Sequence, residues 1–245
     1  MSKRSDGRRL DELRSVSIES EWTRNADGSA LIRMGNTIIL CTASVEERVP
    51  AFLRNSGKGW ITSEYGMLPG STDRRTFRES TRGRTSGRSM EIQRLIGRSL
   101  RSVAKLEHLT DRTIWIDCDV LQADGGTRTA SITGGFVALA LACHKGLEVG
   151  RLSKMPLTDF VGAVSVGMIG QSNYLDLNYQ EDSSSDVDLN VVKTGRGRFV
   201  EIQGTAENNT FSQKDLERML RLSSKGIKIL VEHQKKALKG VFPKK

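Results

Sequence analysis

Three stretches of the chain carry residue types that could do chemistry together. In the first, Gln122-Ala123-Asp124-Gly125-Gly126-Thr127-Arg128-Thr129 follows the strand-like run 113–121 and leads into the apolar stretch 130–147. A strand that breaks at paired glycines and restarts as a helix leaves unpaired N–H groups under a partial positive charge. Glycine lets a ligand approach the backbone, Thr127 adds a hydroxyl donor, and Arg128 adds a planar guanidinium that matches phosphate. This reads as a seat for an oxyanion, phosphate above all, although a plain strand-to-helix turn would carry the same glycines.

The second stretch is Glu181-Asp182-Ser183-Ser184-Ser185-Asp186-Val187-Asp188, with four carboxylates in eight residues between two expected strands. Carboxylates gathered at a strand end suit Mg²⁺, a hard cation that takes oxygen ligands and keeps several waters. The alternative is an acidic hairpin turn. Asp188 opens the alternating run Asp188-Leu189-Asn190-Val191, which gives its side chain a defined direction. A phosphate seat and a metal-binding acidic cluster are together the equipment of phosphoryl transfer, where positioning and charge stabilisation do most of the work. Such chemistry needs no activated Ser, Cys or His, and His108, His144 and His233 lie in or beside partly apolar helical stretches.

The third stretch is basic. Between Gly70 and Lys105 there are ten cations (Arg74, Arg75, Arg78, Arg82, Arg84, Arg88, Arg94, Arg98, Arg101, Lys105) against Asp73, Glu79 and Glu91, or +7 of the chain's +9. All but one are arginine, which points to a polyanion partner; a solvated basic surface is the bland alternative. Aromatics are only 5% of the chain, so backbone phosphate contacts should outweigh base stacking.

The elements that must position these groups read as α+β. Residues 16–21, 30–34 and 37–45 are strand-like, with turn chemistry between them. Residues 57–88 read as irregular, with a basic and mobile loop at 70–88. A helix is expected over 89–105, with Ile92, Leu95, Ile96, Leu100 and Val103 on its apolar stripe and Arg94, Arg98 and Arg101 along one side. Strands are expected at 160–168, 174–178, 188–193 and 199–203. A last helix should open at Ser212 with Asp215 completing a capping box, and end before a basic tail at 240–245. Strands followed by helices, twice over, suggest one domain of two similar halves, spanning 1–245. No stretch reaches the roughly 18 uninterrupted apolar residues of a membrane span. Cys41, Cys118 and Cys143 are widely spaced in apolar surroundings and read as core thiols of a cytoplasmic protein.

From about Arg4 to Lys239 the chain resembles the ribonuclease PH family. The resemblance is carried by Arg33-Met34-Gly35-Asn36-Thr37, by Gly66-Met67-Leu68-Pro69, and by the run from Ser86 to Arg98. The longest match runs from Ile116 to Thr129. Asp182-Ser183, Asp188-Leu189-Asn190-Val191-Val192 and Gln203-Gly204-Thr205-Ala206-Glu207 complete it. It implies a ribosomal protein S5 domain 2-like fold and a 3′-to-5′ exoribonuclease that uses inorganic phosphate as co-substrate and releases nucleoside 5′-diphosphates. It further implies that Arg88, Gly126, Thr127 and Arg128 bind phosphate. Asp182 and Asp188 would carry the catalytic and metal-binding role with Mg²⁺. Arg74, Arg75, Arg78 and Arg82, with Arg94 and Arg98, are where RNA contacts are expected. The implied partners are tRNA precursors and other RNA 3′ ends, rRNA included, within a homohexamer built as a trimer of dimers, with no membrane and no DNA.

Four positions depart from the family pattern: Ser5 for proline, Gly70 for arginine, Asn178 for aspartate and Asn208 for glycine. None falls on the proposed phosphate or metal residues. One alternative is a non-catalytic ring subunit of an exosome-like assembly, which would be expected to lack part of the seat or the aspartate pair. The other is a basic structural RNA binder, which would show no dependence on phosphate. Synthesis from nucleoside diphosphates would be the same reaction run backwards.

Overall fold

The computed structural model describes residues 4–207 and 209–241, except the side chains of Ser80 and Arg82. The departure at Asn208 and most of the expected basic tail therefore lie outside the described residues. Strands β1 (Val16–Ser20), β2 (Gly28–Met34) and β3 (Thr37–Glu46) form an antiparallel meander. Next come β4 (Trp60–Met67), α1 (Gly87–Arg101) and β5 (Thr113–Gln122). Strand β5 inserts between antiparallel β3 and parallel β4, giving the five-stranded order β1-β2-β3-β5-β4.

Helix α2 (Thr127–Glu148) leads to β6 (Val161–Ile169), β7 (Ser172–Leu175), α3 (Tyr179–Ser184), β8 (Val187–Thr194) and β9 (Phe199–Ala206). These strands make an antiparallel sheet in the order β7-β6-β8-β9. Helix α4 (Gln213–Ala237) closes the fold, and Ser212 and Asp215 form the expected capping box at its start. Helix α2 packs against β2, β3 and β5 of one sheet, β6 and β8 of the other, and α4. By length and composition α2 could cross a membrane, but 83% of its apolar window is buried inside the fold. It is the core helix that both halves share, and one continuous apolar cluster runs through both sheets around it.

The structure departs from expectation in three places. Strand β4 occupies the first part of the stretch expected to be irregular. Its inward residues are Ile61, Ser63 and Tyr65, a sequence too polar to announce a strand, and pairing with β5 holds it in place. Helix α1 stops at Arg101 instead of Lys105. The chain there turns to pair with residues 156–158: Lys105 N–H donates to the Pro156 carbonyl at 2.8 Å, and Thr158 N–H to that of Val103 at 2.8 Å. Strand β7 ends at Leu175 because Asp176 takes a left-handed φ of 55°. The acidic stretch 181–188 is not a bare turn either, since it begins within α3 and ends within β8.

Candidate active site

Gly125 and Gly126 adopt φ values of 72° and 65°, the left-handed region that glycine enters without strain. A Cβ on Gly125 would lie 2.6 Å from the Leu177 carbonyl oxygen, so the bare backbone lets the turn press against the chain entering α3. Gly126 is the N-cap of the 22-residue helix α2, and no side chain caps it. The first N–H groups of that helix are thus available to an anion. Thr127 is buried and its hydroxyl shares a 2.8 Å hydrogen bond with that of Tyr65. Burial pushes the Tyr65 phenol above its ordinary value, so it stays protonated. If Tyr65 donates, the Thr127 proton remains free for the anion.

Arg128 is the second residue of α2, with a side chain only 15% exposed. Its Nη1 donates to Gln203 Oε1 at 2.7 Å and to Glu91 Oε1 at 3.3 Å. Arg88 is exposed on the first turn of α1, whose N-cap Ser86 accepts from Ser89 N–H at 3.1 Å.

Beneath the seat lies an ion pair that sequence reasoning missed. Arg14 donates to Asp176 through its backbone N–H at 2.8 Å, Nε at 3.0 Å and Nη2 at 2.7 Å. Its Nη1 donates to the carbonyl of Asp124, inside the glycine turn. Both partners are almost completely buried. Thr37 adds a second tie, donating to the Gly125 carbonyl at 2.7 Å and accepting from Asp124 N–H at 3.0 Å. No periodic pattern marks Arg14. The signal available was a charged residue just ahead of a strand, which is too common to single one out.

The four clustered carboxylates have separate fates. Glu181 is buried, pairs with Arg4, and closes a capping box with Asn178, whose side chain accepts from Glu181 N–H at 2.9 Å. Asn178, expected as one charge fewer beside the cluster, is thus the N-cap of α3, a place that asparagine and aspartate fill equally well. Asp186 accepts from Gly170 N–H at 2.8 Å and from Asn209 at 2.9 Å. That leaves Asp182 on α3 and Asp188 on β8, between Gly167 of β6 and Thr205 of β9.

Electrostatics brings the predicted groups together. Burial raises the Asp182 carboxyl above its usual value, and the positive charges of Arg88, Arg128 and Arg14 offset this. Asp188 is raised by burial first and by the negative charge of Asp182 next, with Arg128 and Arg88 again opposing. Both arginines therefore lie within electrostatic reach of both aspartates, though the four residues come from α1, α2, α3 and β8. Glu207, from the matched run after Gln203, also acts on both aspartates. No group of three or more metal-capable side chains occurs among the described residues. An Asp182/Asp188 pair is nevertheless the donor set Mg²⁺ commonly takes, with waters and substrate phosphate completing its shell.

The expected RNA residues are more dispersed. Arg74, Arg75 and Arg78 are exposed on the loop after β4, with the Arg75 guanidinium 5.7 Å from the Phe77 ring centre. Ala123 N–H donates to the Ser71 carbonyl at 2.7 Å, tying that loop to the chain just ahead of the glycine turn. The Arg82 side chain lies outside the described residues. Arg94 is exposed on α1, but Arg98 is engaged by Glu201 of β9 at 2.7 and 3.0 Å. Arg101 donates to the Ile61 carbonyl at 2.7 Å and stacks on Trp60. The three do not form one free cationic stripe, because α1 packs across β4 and reaches β9. At Gly70 a Cβ would meet open space, so nothing packed against that position requires a glycine.

Comparison with known proteins decides the family. Residues 12–144 match the 3′ exoribonuclease family, domain 1, and residues 159–226 match its domain 2. The chain belongs to the ribonuclease PH family. It is 57% identical over 241 residues to ribonuclease PH of Bacillus subtilis (strain 168), covering 98% of each chain. It is 58% identical over 233 residues to ribonuclease PH of Bacillus pumilus (strain SAFR-032), covering 95% of this chain and 96% of that one. Among solved structures, a chain of the Archaeoglobus fulgidus exosome with RNA bound to the active site superposes with a TM-score of 0.80 at 23% identity, covering 94% of this chain and 92% of that one. Rice (Oryza sativa) Rrp46 gives 0.75 at 21% identity, covering 96% and 100%. At these identities the structural matches show the ribonuclease PH fold. Its α+β architecture of two sheets around shared helices is the one expected from sequence.

Proposed function

We propose that the protein is a phosphorolytic 3′-to-5′ exoribonuclease that trims tRNA precursors and other RNA 3′ ends. The observation that carries this reading is the convergence of Arg88 and Arg128 on Asp182 and Asp188 beside the uncapped start of α2. Inorganic phosphate would sit against the Gly126–Thr127 backbone, held by Arg88 and Arg128. One of its oxygens attacks the phosphorus of the last phosphodiester. The bond from that phosphorus to the 3′-oxygen of the preceding nucleotide breaks, releasing a nucleoside 5′-diphosphate. The departing 3′-oxygen takes up the proton that the attacking hydrogen phosphate loses, with the ionised carboxylate of Asp182 or Asp188 as the relay. Two arginines answer the repulsion between an anionic nucleophile and an anionic substrate.

Asp182 and Asp188 are also the residues that would hold Mg²⁺, which supplies charge neutralisation at the transferring phosphoryl group when bound. The exposed arginines after β4 would follow the RNA backbone without reading bases. The likeness to exosome chains supports assembly into a ring, which we take to be a homohexamer, and the buried free thiols suit a cytoplasmic setting. A non-catalytic ring subunit is disfavoured, because the seat and both aspartates are present.

The test is to incubate the protein with a 3′-extended tRNA and Mg²⁺, with and without phosphate. Nucleoside diphosphates released only with phosphate are expected. Monophosphates would mean hydrolysis and would overturn the reading.

A further inference from the structure

Arg128 does not reach into solvent as a free cation. Its Nη1 meets Gln203 Oε1 on β9 at 2.7 Å, and Gln203 Nε2 donates to Glu91 Oε1 on α1 at 3.2 Å. A glutamine amide could present either end to its neighbours, but a carboxylate only accepts. Glu91 therefore takes the amide N–H and turns the amide oxygen toward Arg128. That fixes one nitrogen of a planar fork and leaves the rest of the guanidinium for an anion. Glu91 also stands one helical turn beyond Arg88, beside the second arginine of the seat.

We infer that Gln203, locked in orientation by Glu91, is a positioning residue that aims Arg128 at phosphate. The inference rests on the phosphate reading above. A purely structural role is the weaker account, because the Arg98–Glu201 ion pair already fastens α1 to β9. That pair needs no contact with Arg128.

Initial rates on a 3′-extended RNA at varied phosphate test this, with the full chain and the variants Gln203→Leu, Gln203→Met, Glu91→Gln, Arg128→Ala and Arg128→Ala/Gln203→Leu. Thermal midpoints identify any variant that misfolds, and Gln203→Met keeps the length of the side chain if Gln203→Leu fails to fold. Loss of the Gln203 acceptor should raise the phosphate KM roughly ten-fold, the scale of one charge-assisted hydrogen bond, with the RNA KM unmoved. Glu91→Gln removes the acceptor-only partner of Gln203 together with the direct 3.3 Å pair to Arg128, and should also raise the phosphate KM, by about as much as one such hydrogen bond. In the Arg128→Ala background, Gln203→Leu should add nothing, since both act through one guanidinium.

If Arg128→Ala raises the phosphate KM while both Gln203 variants leave it unchanged, the positioning role is wrong. It is equally wrong if the Gln203 effect persists in full without Arg128. If Glu91→Gln lowers the phosphate KM, Glu91 is a competing anion and the lock is overturned. An unchanged phosphate KM in Arg128→Ala would instead sink the seat itself, and this inference with it.

Discussion

Asp182 and Asp188 are held above the ordinary carboxylate range by burial, and Asp188 also by the charge of its neighbour. Two consequences have opposite signs. Catalysis that needs these groups ionised should fail on the acid side at a higher pH than an exposed aspartate would dictate. Stability runs the other way: the folded state holds these protons more tightly than the unfolded chain. Their contribution is therefore lost as pH rises from the unfolded pKa through the raised folded one. Asp188→Asn should keep or raise the thermal midpoint measured in chelator near neutral pH, and should abolish diphosphate release measured with Mg²⁺. A clear fall in the midpoint would show that the ionised Asp188, buried beside Asp182, does not burden the fold. The candidate site at this scale could be read from sequence, because Arg88, Gly126, Thr127, Arg128, Asp182 and Asp188 are of the right types in three short stretches. The roles of Gln203 and Glu91 were not, since an amide and a carboxylate 112 positions apart announce nothing until the fold joins them.

At the scale of elements, the glycine turn is only as well placed as the clamp beneath it. Arg14 and Asp176 form a buried pair whose surplus donors hold the turn carbonyls. Arg14→Leu would leave the buried Asp176 carboxylate only the more distant Arg8, at 3.6 Å, and should cost up to about 3–5 kcal/mol, the scale of a broken buried pair. Urea unfolding should show that fall, and near-parent stability would mean water replaces the guanidinium. The strands, α1, α2 and α4 could be read from alternation, helical periodicity and caps. Strand β4 could not, because Ser63 and Gly66 dilute its pattern and β5 supplies the pairing that holds it. Helix α3 was hidden for a related reason: six residues give too little periodicity, and its start depends on a capping box that also needs the buried Arg4–Glu181 pair.

For the whole molecule the charge distribution matters most. Binding to RNA should weaken steeply with salt, each phosphate contact adding about 0.7 to the slope of log affinity against log salt for a single strand. Replacing Arg74, Arg75 and Arg78 together by alanine should reduce that slope by about 2 and leave the phosphate KM where it was. A preserved slope would mean that these arginines do not contact the RNA backbone.

Helix α2 and the Arg14–Asp176 pair also bear on when the protein becomes able to cut. The arginines of the anion seat lie in the part matched to domain 1 and the aspartates in the part matched to domain 2, and the clamp spans 162 positions. A polypeptide still emerging from the ribosome, complete only to the end of α2, has the glycine turn but neither aspartate nor the anchor for Arg14. Both aspartates are in place only once synthesis has passed Asp188, so a shorter polypeptide should release no diphosphate.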